Sequence, residues 1–313
     1  MYMQQSWFRI GLAVLAFSTS LALNAQERPR ITGISHMAVY TSDPAASEHF
    51  YVDELGASKE PDPEDPQGVI YRVSEQQFIE VLPLPSQHSI SRMDHVAFAT
   101  SDADALHTYL VDKGCRDIDP VTTIGKDGSK WFFTRDPEGN RVEFYQAADH
   151  PFHAANTLLS PRIIHVGYLV KDRAKEDSFY RDLLGFRPYW YGAMHPGKVD
   201  WVSQQVPDGH DWLEYMMTGP DSDTPDASKV DARQLGVLNH FSLGVPNMER
   251  AVTALYVSDA IRFSPRHDGP QMGKDGKWQA NLYDPDGTRV ELMEFQPVMK
   301  PCCSDFTAES PAE

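Results

Sequence analysis

The sequence predicts an α+β fold of four βαβββ units that pair into two domains, and three observations lead to that fold class. First, four segments align without gaps, and each places a histidine near the start of a predicted strand: 34–40, 93–99, 163–169 and 238–244. Second, each segment is followed by a helical pattern. Third, short β-like runs between Gly, Pro and Asp turns come next, and the last run carries a glutamate. Repetition of this kind is typical of a duplicated architecture.

The helical pattern of the first unit has clear boundary signals. Asp43 suits the N-cap, Pro44 suits the first helical position, and Gly56 suits the end. The second and third patterns also end at a glycine, and the fourth, over about 248–259, is the least regular. We therefore expect one short helix between the first and second strands of every unit.

The glutamate-bearing runs show how the units pair. These runs are 78–82, 141–145, 212–216 and 289–293. Units two and four share the tetrapeptides Gly-Lys-Asp-Gly and Asp-Pro-x-Gly, and the second of these is a type I turn signature. Units one and three share Phe-Tyr-x-x-x-Leu-Gly. The alternation indicates a two-unit domain that has been duplicated.

The same alternation sets the domain boundaries that we predict. The first domain covers residues 31–147 and contains units one and two. A linker at 148–161 has no periodicity, and the second domain, with units three and four, covers 162–296. Residues 219–234 are expected to form a surface loop and 297–313 a C-terminal tail.

Composition favours a folded protein without nucleic acid or anionic membrane partners. Apolar residues make up 41% of the chain, and a formal net charge of −17 without any Lys/Arg run argues against such partners.

The first 25 residues predict export. They contain one charge, Arg9, then an apolar run and the small Ala25, which is the layout of a signal peptide. We expect a periplasmic or secreted protein without stable membrane insertion after signal cleavage; an uncleaved anchor is the alternative.

The three cysteines indicate no disulfide framework and no catalytic role. Cys115 follows a predicted helix, and Cys302 and Cys303 lie in the tail. With no thiol near the histidines, a closed structural zinc site is not expected.

The histidine strands are patterned like the wall of a cavity. Two residues after each histidine, on the same strand face, the side chain is small: Ala38, Ala97, Gly167 and Ser242. Bulky apolar residues occupy the opposite face. Each glutamate stands between apolar neighbours, and a buried carboxylate needs a partner. A divalent metal supplies one, and imidazole with carboxylate suits Fe²⁺, Mn²⁺, Ni²⁺, Co²⁺ or Zn²⁺.

This pattern resembles the vicinal oxygen chelate (VOC) superfamily of glyoxalase I, extradiol dioxygenases, bleomycin-resistance proteins and related epimerases. The resemblance covers about residues 31–296. It implies two VOC (glyoxalase/dioxygenase-like) domains and a small-molecule substrate. It also implies metal ligands in both domains: His36, Glu80, His95, Glu143, His165, Glu214, His240 and Glu291.

The four-unit layout is similar to two-domain extradiol ring-cleavage dioxygenases, and this reaction is our first hypothesis. The resemblance then implies a working site of His165, His240 and Glu291 with Fe²⁺ as the ion. Such a triad leaves positions open for a catecholate and O₂. Extradiol enzymes also use a histidine and a tyrosine to handle protons, and the candidates for these roles are His210, His267 and Tyr283.

Two alternatives stay open at this point. The complete His-Glu-His-Glu set is similar to glyoxalase I, which implies a lyase or isomerase in which a glutamate moves a proton, and Glu291 is the candidate for that role. The third hypothesis is a non-enzymatic small-molecule binding protein of the bleomycin-resistance type. The sequence leaves the oligomeric state open, a homo-oligomer included.

Overall fold

The computed structural model of the protein describes residues 27–86, 91–149, 159–224, 229, 239–258 and 267–312. The predicted signal peptide, most of the predicted linker and most of the predicted 219–234 loop lie outside these residues. Within the described ranges, no helix combines the length and the apolar character that a membrane crossing needs.

The first domain is an eight-stranded sheet with two short helices. Its elements are β1 (Ile31–Thr41), α1 (Pro44–Glu48, continued by a π-helical turn at His49–Glu54), β2 (Ser58–Pro61), β3 (Val69–Arg72), β4 (Phe78–Pro83), β5 (Met93–Thr100), α2 (Ala103–Asp112), β6 (Thr123–Ile124), β7 (Lys130–Arg135) and β8 (Arg141–Gln146). The strand order is β2-β3-β4-β1-β5-β8-β7-β6, so the two histidine strands, β1 and β5, are adjacent at the centre.

The second domain repeats this arrangement. Its elements are β9 (Arg162–Val170), α3 (Arg173–Asp177, continued by a π-helical turn at Ser178–Leu183), β10 (Arg187–Gly192), β11 (Trp201–Gln205), β12 (Trp212–Met217), β13 (His240–Val245), α4 (Met248–Val257), β14 (His267–Met272), β15 (Trp278–Tyr283) and β16 (Arg289–Glu294). The order β10-β11-β12-β9-β13-β16-β15-β14 matches that of the first domain strand for strand. The predicted α+β fold of four βαβββ modules in two domains is confirmed.

Local sequence signals explain where the helices begin and end. Asp43 caps α1 by accepting a hydrogen bond from the backbone N–H of Ala46, and Pro44 is the first helical residue. Asp102, Asp172 and Asn247 cap the other three helices in the same way. After α1 the chain turns at Gly56, whose φ of +77° lies in the left-handed region that favours glycine.

The two sequence motifs that alternate along the chain meet across the domain interface. The Tyr51 hydroxyl of the first Phe-Tyr motif donates a 3.0 Å hydrogen bond to Asp284, in the Asp-Pro-x-Gly turn of the other domain. The symmetric contact joins the Tyr180 hydroxyl to Asp136 at 3.3 Å. These hydrogen bonds link the two domains, and they explain why both motifs occur twice in the chain.

Replacing Tyr51 by phenylalanine is expected to destabilise the interface. Asp284 is buried and its Oδ2 would lose the hydroxyl donor, which costs about 1–3 kcal/mol in the free energy of unfolding. Denaturant titration of the variant measures this loss. The matched control is Tyr256→Phe, because Tyr256 is exposed on α4; equal stability of the two variants would contradict the assigned role of the Tyr51 contact.

The C-terminal tail packs against the second domain. Phe306 contacts the ring of Tyr189, with centroids 4.8 Å apart, and the Thr307 N–H donates to the Tyr189 carbonyl at 3.0 Å. Cys302 and Cys303 form a disulfide with each other, and Cys115 is a free thiol. The tail therefore covers one edge of the sheet that holds the second candidate site.

Candidate metal centres

The four central strands of the first domain bring two histidines and two glutamates to one point. The Nε2 atoms of His36 and His95 lie 3.2 Å apart. Glu143 Oε2 lies 3.1 Å from the first and 2.8 Å from the second of these nitrogens. Glu80 Oε2 lies 3.4 Å from His95 Nε2. We call these four residues the N-terminal cluster.

The second domain builds the equivalent C-terminal cluster from His165, Glu214, His240 and Glu291. The two imidazole Nε2 atoms lie 3.1 Å apart, and Glu291 Oε2 lies 3.1 Å from the nitrogen of His165 and 3.9 Å from that of His240. Glu214 Oε2 lies 3.5 Å from His240 Nε2. The structure thus brings together all eight predicted ligands, four in each domain.

Strand register explains why small residues accompany the histidines. Gly167 is the cross-strand neighbour of His240, and Ser242 is the neighbour of His165. A Cβ atom on Gly167 would lie 2.4 Å from His240 Cε1, so a larger residue there would displace the imidazole. In the first domain Ala97 and Ala38 face the two histidines in the same way. The small residues leave the space in which the rings converge.

The donor set fits a divalent ion. Ligand atoms about 2.1 Å from one ion stand about 3.0–3.4 Å apart in octahedral or tetrahedral geometry, close to most of the separations in both clusters. Two imidazoles with carboxylates and no thiolate match Fe²⁺, Mn²⁺, Co²⁺, Ni²⁺ or Zn²⁺. Buried carboxylate oxygens of Glu80 and Glu143 have no hydrogen-bond partner, and a bound cation would compensate them.

The N-terminal cluster is closed. The loop between β2 and β3 brings Glu64 Oε1 to 3.9 Å from His36 Nε2. The Glu64 side chain is 8% exposed and its Oε1 has no hydrogen-bond partner. This loop therefore places a further carboxyl group above the cluster and covers it. Burial first, and then the neighbouring Glu143 and Asp62, raise the pKa of Glu64 to about 10.

Burial and charge act in opposite directions on the pKa values of this cluster. Burial is the largest single influence on His95 and lowers its pKa, but hydrogen bonds to Asp94 and Glu143 together raise the pKa above its ordinary value. Burial raises the pKa of Glu143, but the two histidines outweigh it and hold the pKa low.

In the C-terminal cluster, burial and charge act in the same direction on Glu214. Burial and then repulsion by Glu291 raise the pKa of Glu214 to about 8.

The C-terminal cluster opens onto a cavity of about 250 Å³. Glu214 and Glu291 line it, and so do Gln279 and Asn281 from β15 and Arg289 from β16. The other lining residues are Trp190, Met194, Trp201, Gln271, Met272, Gly273, Lys274, Asp275 and Met293. The loop that corresponds to 62–68 lies at 193–200, and its Met194 lines the cavity. The second domain therefore offers space for a small ligand beside the ligand set.

The three predicted proton-handling residues are not brought into this cavity. His210 is exposed, and its Nδ1 lies 3.4 Å from the carbonyl oxygen of Glu309 in the tail. His267 is exposed at the start of β14. The Tyr283 hydroxyl donates to Asp268 at 2.6 Å. None of the three is among the residues that line the cavity in the described part of the chain.

Sequence reasoning missed Glu64, Asp94 and Arg289. Glu64 lies in an irregular loop, whose path no periodic pattern gives. Asp94 directly precedes a predicted ligand, and its Oδ2 lies 2.7 Å from Nδ1 of His95. A carboxylate next to a metal-ligating histidine often orients its ring, so the contact between Asp94 and His95 could have been predicted from the sequence.

Asp94→Asn is expected to weaken metal binding at the N-terminal cluster by about 10–100-fold, because the hydrogen bond that orients His95 loses its charge. Competition with a chromophoric chelator measures the affinity. The C-terminal cluster serves as an internal control, since Asn239 already occupies the equivalent position there. Unchanged affinity at both clusters would contradict the orienting role of Asp94.

Comparison with known proteins identifies the class to which this fold and site belong. A family model described as the Glyoxalase/Bleomycin resistance protein/Dioxygenase superfamily matches residues 33–144, and a second model of the same description matches 164–278. The chain belongs to this superfamily. The two matches cover one domain each, and among curated proteins no sequence matches the chain.

Similar solved structures include homoprotocatechuate 2,3-dioxygenases. A variant of the B. fuscum enzyme has a TM-score of 0.64 at 18% identity, over 91% of this chain and 74% of that one. The complex of the Brevibacterium fuscum enzyme with 3,4-dihydroxyphenylacetate has a TM-score of 0.61 at 20% identity, over 91% and 84%. The Arthrobacter globiformis enzyme has a TM-score of 0.62 at 20% identity, over 85% and 80%. At these identities the likeness shows a shared fold.

Proposed function

We propose that the protein is a divalent-metal-dependent enzyme whose C-terminal cluster acts on a small substrate that chelates the ion through two oxygens. The observation that carries this proposal is the contrast between the clusters. Both have the donor set, but the C-terminal one faces a 250 Å³ cavity while the N-terminal one is covered by Glu64. The N-terminal cluster then holds an ion without access for substrate.

Glu214 is the group we assign to proton transfer. Its carboxylate lines the cavity and lies 3.5 Å from His240 Nε2, so it reaches both the ion position and the ligand space. A bound divalent ion supplies a Lewis acid that polarises the chelating oxygens of the substrate. A cation beside Glu214 would favour its ionised form and so offset the raised pKa. Oε2 would then take a proton from the carbon beside a carbonyl and return it to the adjacent carbon. This proton shift is the chemistry of an isomerase, and expulsion of a leaving group from the carbon next to the deprotonated one would make it that of a lyase.

Extradiol ring cleavage is the second candidate reaction. It is supported by His165, His240 and Glu291, which form the two-histidine, one-carboxylate triad used by non-haem Fe²⁺ oxygenases. The four-module layout, shared with the homoprotocatechuate dioxygenases, also supports it. Against it stands the placement of His210, His267 and Tyr283 outside the cavity lining. The lyase or isomerase reaction therefore comes first.

Oxygen dependence separates the two reactions. The purified chain is loaded anaerobically with Fe²⁺, Mn²⁺, Ni²⁺ or Zn²⁺ and assayed against panels of catechols and of small 2-oxo and 2-hydroxy acids. We expect turnover that needs the ion, proceeds without O₂ and exchanges a substrate C–H for deuterium from the solvent. Oxygen uptake with a catechol, in the Fe²⁺ form alone, would establish ring cleavage instead. Absence of turnover with every ion and substrate would contradict an enzymatic role.

We also propose that the protein is exported, because residues 1–25 have the layout of a signal peptide. Expression of the full chain in a Gram-negative host should deliver a shortened protein to the periplasm, and the mature N-terminus is read by mass spectrometry. Retention of the full-length chain in the cytoplasm would contradict this proposal.

A further inference from the structure

Arg289 is a cavity-lining cation without a hydrogen-bond or ion-pair partner among the described residues. It lies on β16 two residues before Glu291, so both side chains belong to the same strand face. Its Nε is buried and makes no hydrogen bond. A buried guanidinium nitrogen without an acceptor is costly, and a ligand in the cavity is in position to supply one.

The first domain has an arginine at the equivalent position, and its contacts lie within the protein. Arg141 holds the equivalent position, since it pairs with His95 in the register in which Arg289 pairs with His240. Its Nη1 donates to Asp94, and its guanidinium carbon lies 4.0 Å from the centroid of the Phe133 ring. There the guanidinium is paired with a carboxylate and stacked on a ring of the protein itself.

In the second domain both of these partners are replaced by neutral amides. Asn239 occupies the position of Asp94, and its Oδ1 accepts from the Leu169 N–H at 3.1 Å. Asn281 occupies the position of Phe133, because each is the cross-strand neighbour of the ligand glutamate of its domain. Without a carboxylate or a ring to hold it, Arg289 faces the cavity.

The charges around the cavity leave that arginine uncompensated. A divalent ion is balanced by Glu214 and Glu291. The two other charged lining residues, Lys274 and Asp275, carry opposite charges that offset each other. Arg289 then remains as a positive group beside the ion position, and a guanidinium presents a fork that matches a carboxylate.

We propose that Arg289 forms an anion subsite, so that the substrate is an oxygen chelator that carries an additional carboxylate. This inference rests on the proposed function, since the ion at the C-terminal cluster holds the chelating oxygens. The cavity of about 250 Å³ limits the substrate to a small organic acid.

Matched pairs of hydroxamates test the subsite in the Zn²⁺-loaded protein. Butyrohydroxamate and succinate monohydroxamate share the chelating group and differ in a terminal methyl or carboxylate; pentanohydroxamate and glutarate monohydroxamate repeat the pair with one more methylene. Calorimetry measures affinity and stoichiometry. We expect one ligand per chain and, in at least one pair, about tenfold tighter binding of the acid, which corresponds to one charge-assisted hydrogen-bonded contact.

Two substitutions make the test specific. Arg289→Gln removes the cation, and Asn239→Asp re-creates the partner that holds Arg141; both should abolish the preference for the acid while the neutral hydroxamate still binds. Zinc content is determined for each variant. The control is Arg250→Gln, because Arg250 is exposed on α4, and it should keep the preference.

The outcomes separate this inference from the function on which it rests. Binding of both hydroxamates with equal affinity at both chain lengths overturns the anion subsite and leaves the metal-dependent function in place. A preference for the acid that survives Arg289→Gln overturns the subsite as well. Absence of hydroxamate binding to the zinc-loaded wild-type chain overturns both proposals.

Discussion

His240→Ala is expected to remove the ion from the C-terminal cluster and to abolish turnover. His240 Nε2 lies within 4 Å of the other three ligand atoms and is fully buried, so among the described residues of the cluster only the imidazole of His165 would remain. Metal analysis should find two ions per wild-type chain and one per variant chain. Turnover should fall by at least about 10²-fold, because Lewis-acid stabilisation of several kcal/mol is lost.

The control for that experiment is His195→Ala. His195 is exposed and pairs with Asp223 at the surface, so its removal should leave both the metal content and the turnover unchanged. A His240→Ala chain that loses one ion but keeps wild-type turnover would show that the second domain is not the working one, and a chain that keeps both ions would show that His240 is not a ligand.

The second large effect is expected from Glu214→Gln. Glutamine keeps the size of the side chain and an oxygen ligand, but it accepts no proton at neutral pH. Turnover should therefore fall by about 10²–10⁴-fold while the C-terminal ion is retained. Steady-state kinetics with metal analysis of the same sample checks both halves of this expectation.

Two other variants serve as controls for Glu214→Gln. Glu249→Gln, on the exposed first turn of α4, should behave like the wild type. Glu80→Gln makes the same change in the N-terminal cluster, which the side chain of Glu64 covers. Loss of turnover in Glu80→Gln with normal turnover in Glu214→Gln would place the working site in the first domain and refute our assignment.

The sequence predicted the fold because the fold depends on short-range periodicity that is repeated four times. Strand alternation put each histidine on the same face as a small residue, and the register pairs that small residue with the histidine of the other module. The repeated Asp-Pro-x-Gly turns marked the pairing of the units. The family and the fold class followed, and both are confirmed. Metal binding by the eight residues stays a prediction.

The difference between the two clusters could not be predicted from the sequence. Glu64 reaches the N-terminal cluster from an irregular loop, and no local rule fixes the path of such a loop. His210 and His267 were chosen by their distance along the chain from a ligand, which does not determine the direction of a side chain. By contrast, the exchange of Asp94 for Asn239 between duplicated positions was readable, and it marks Arg289 as an arginine without its partner.

Anomalous diffraction from crystals grown with Mn²⁺ tests most directly whether the C-terminal cluster is the working metal site. We expect a peak within about 2.0–2.2 Å of His165, His240 and Glu291, with Glu214 as a fourth ligand or its nearest neighbour. A hydroxamate soaked into the same crystals should reach this ion and leave the ion of the N-terminal cluster untouched. An empty C-terminal cluster, or a hydroxamate bound only in the first domain, would contradict this assignment.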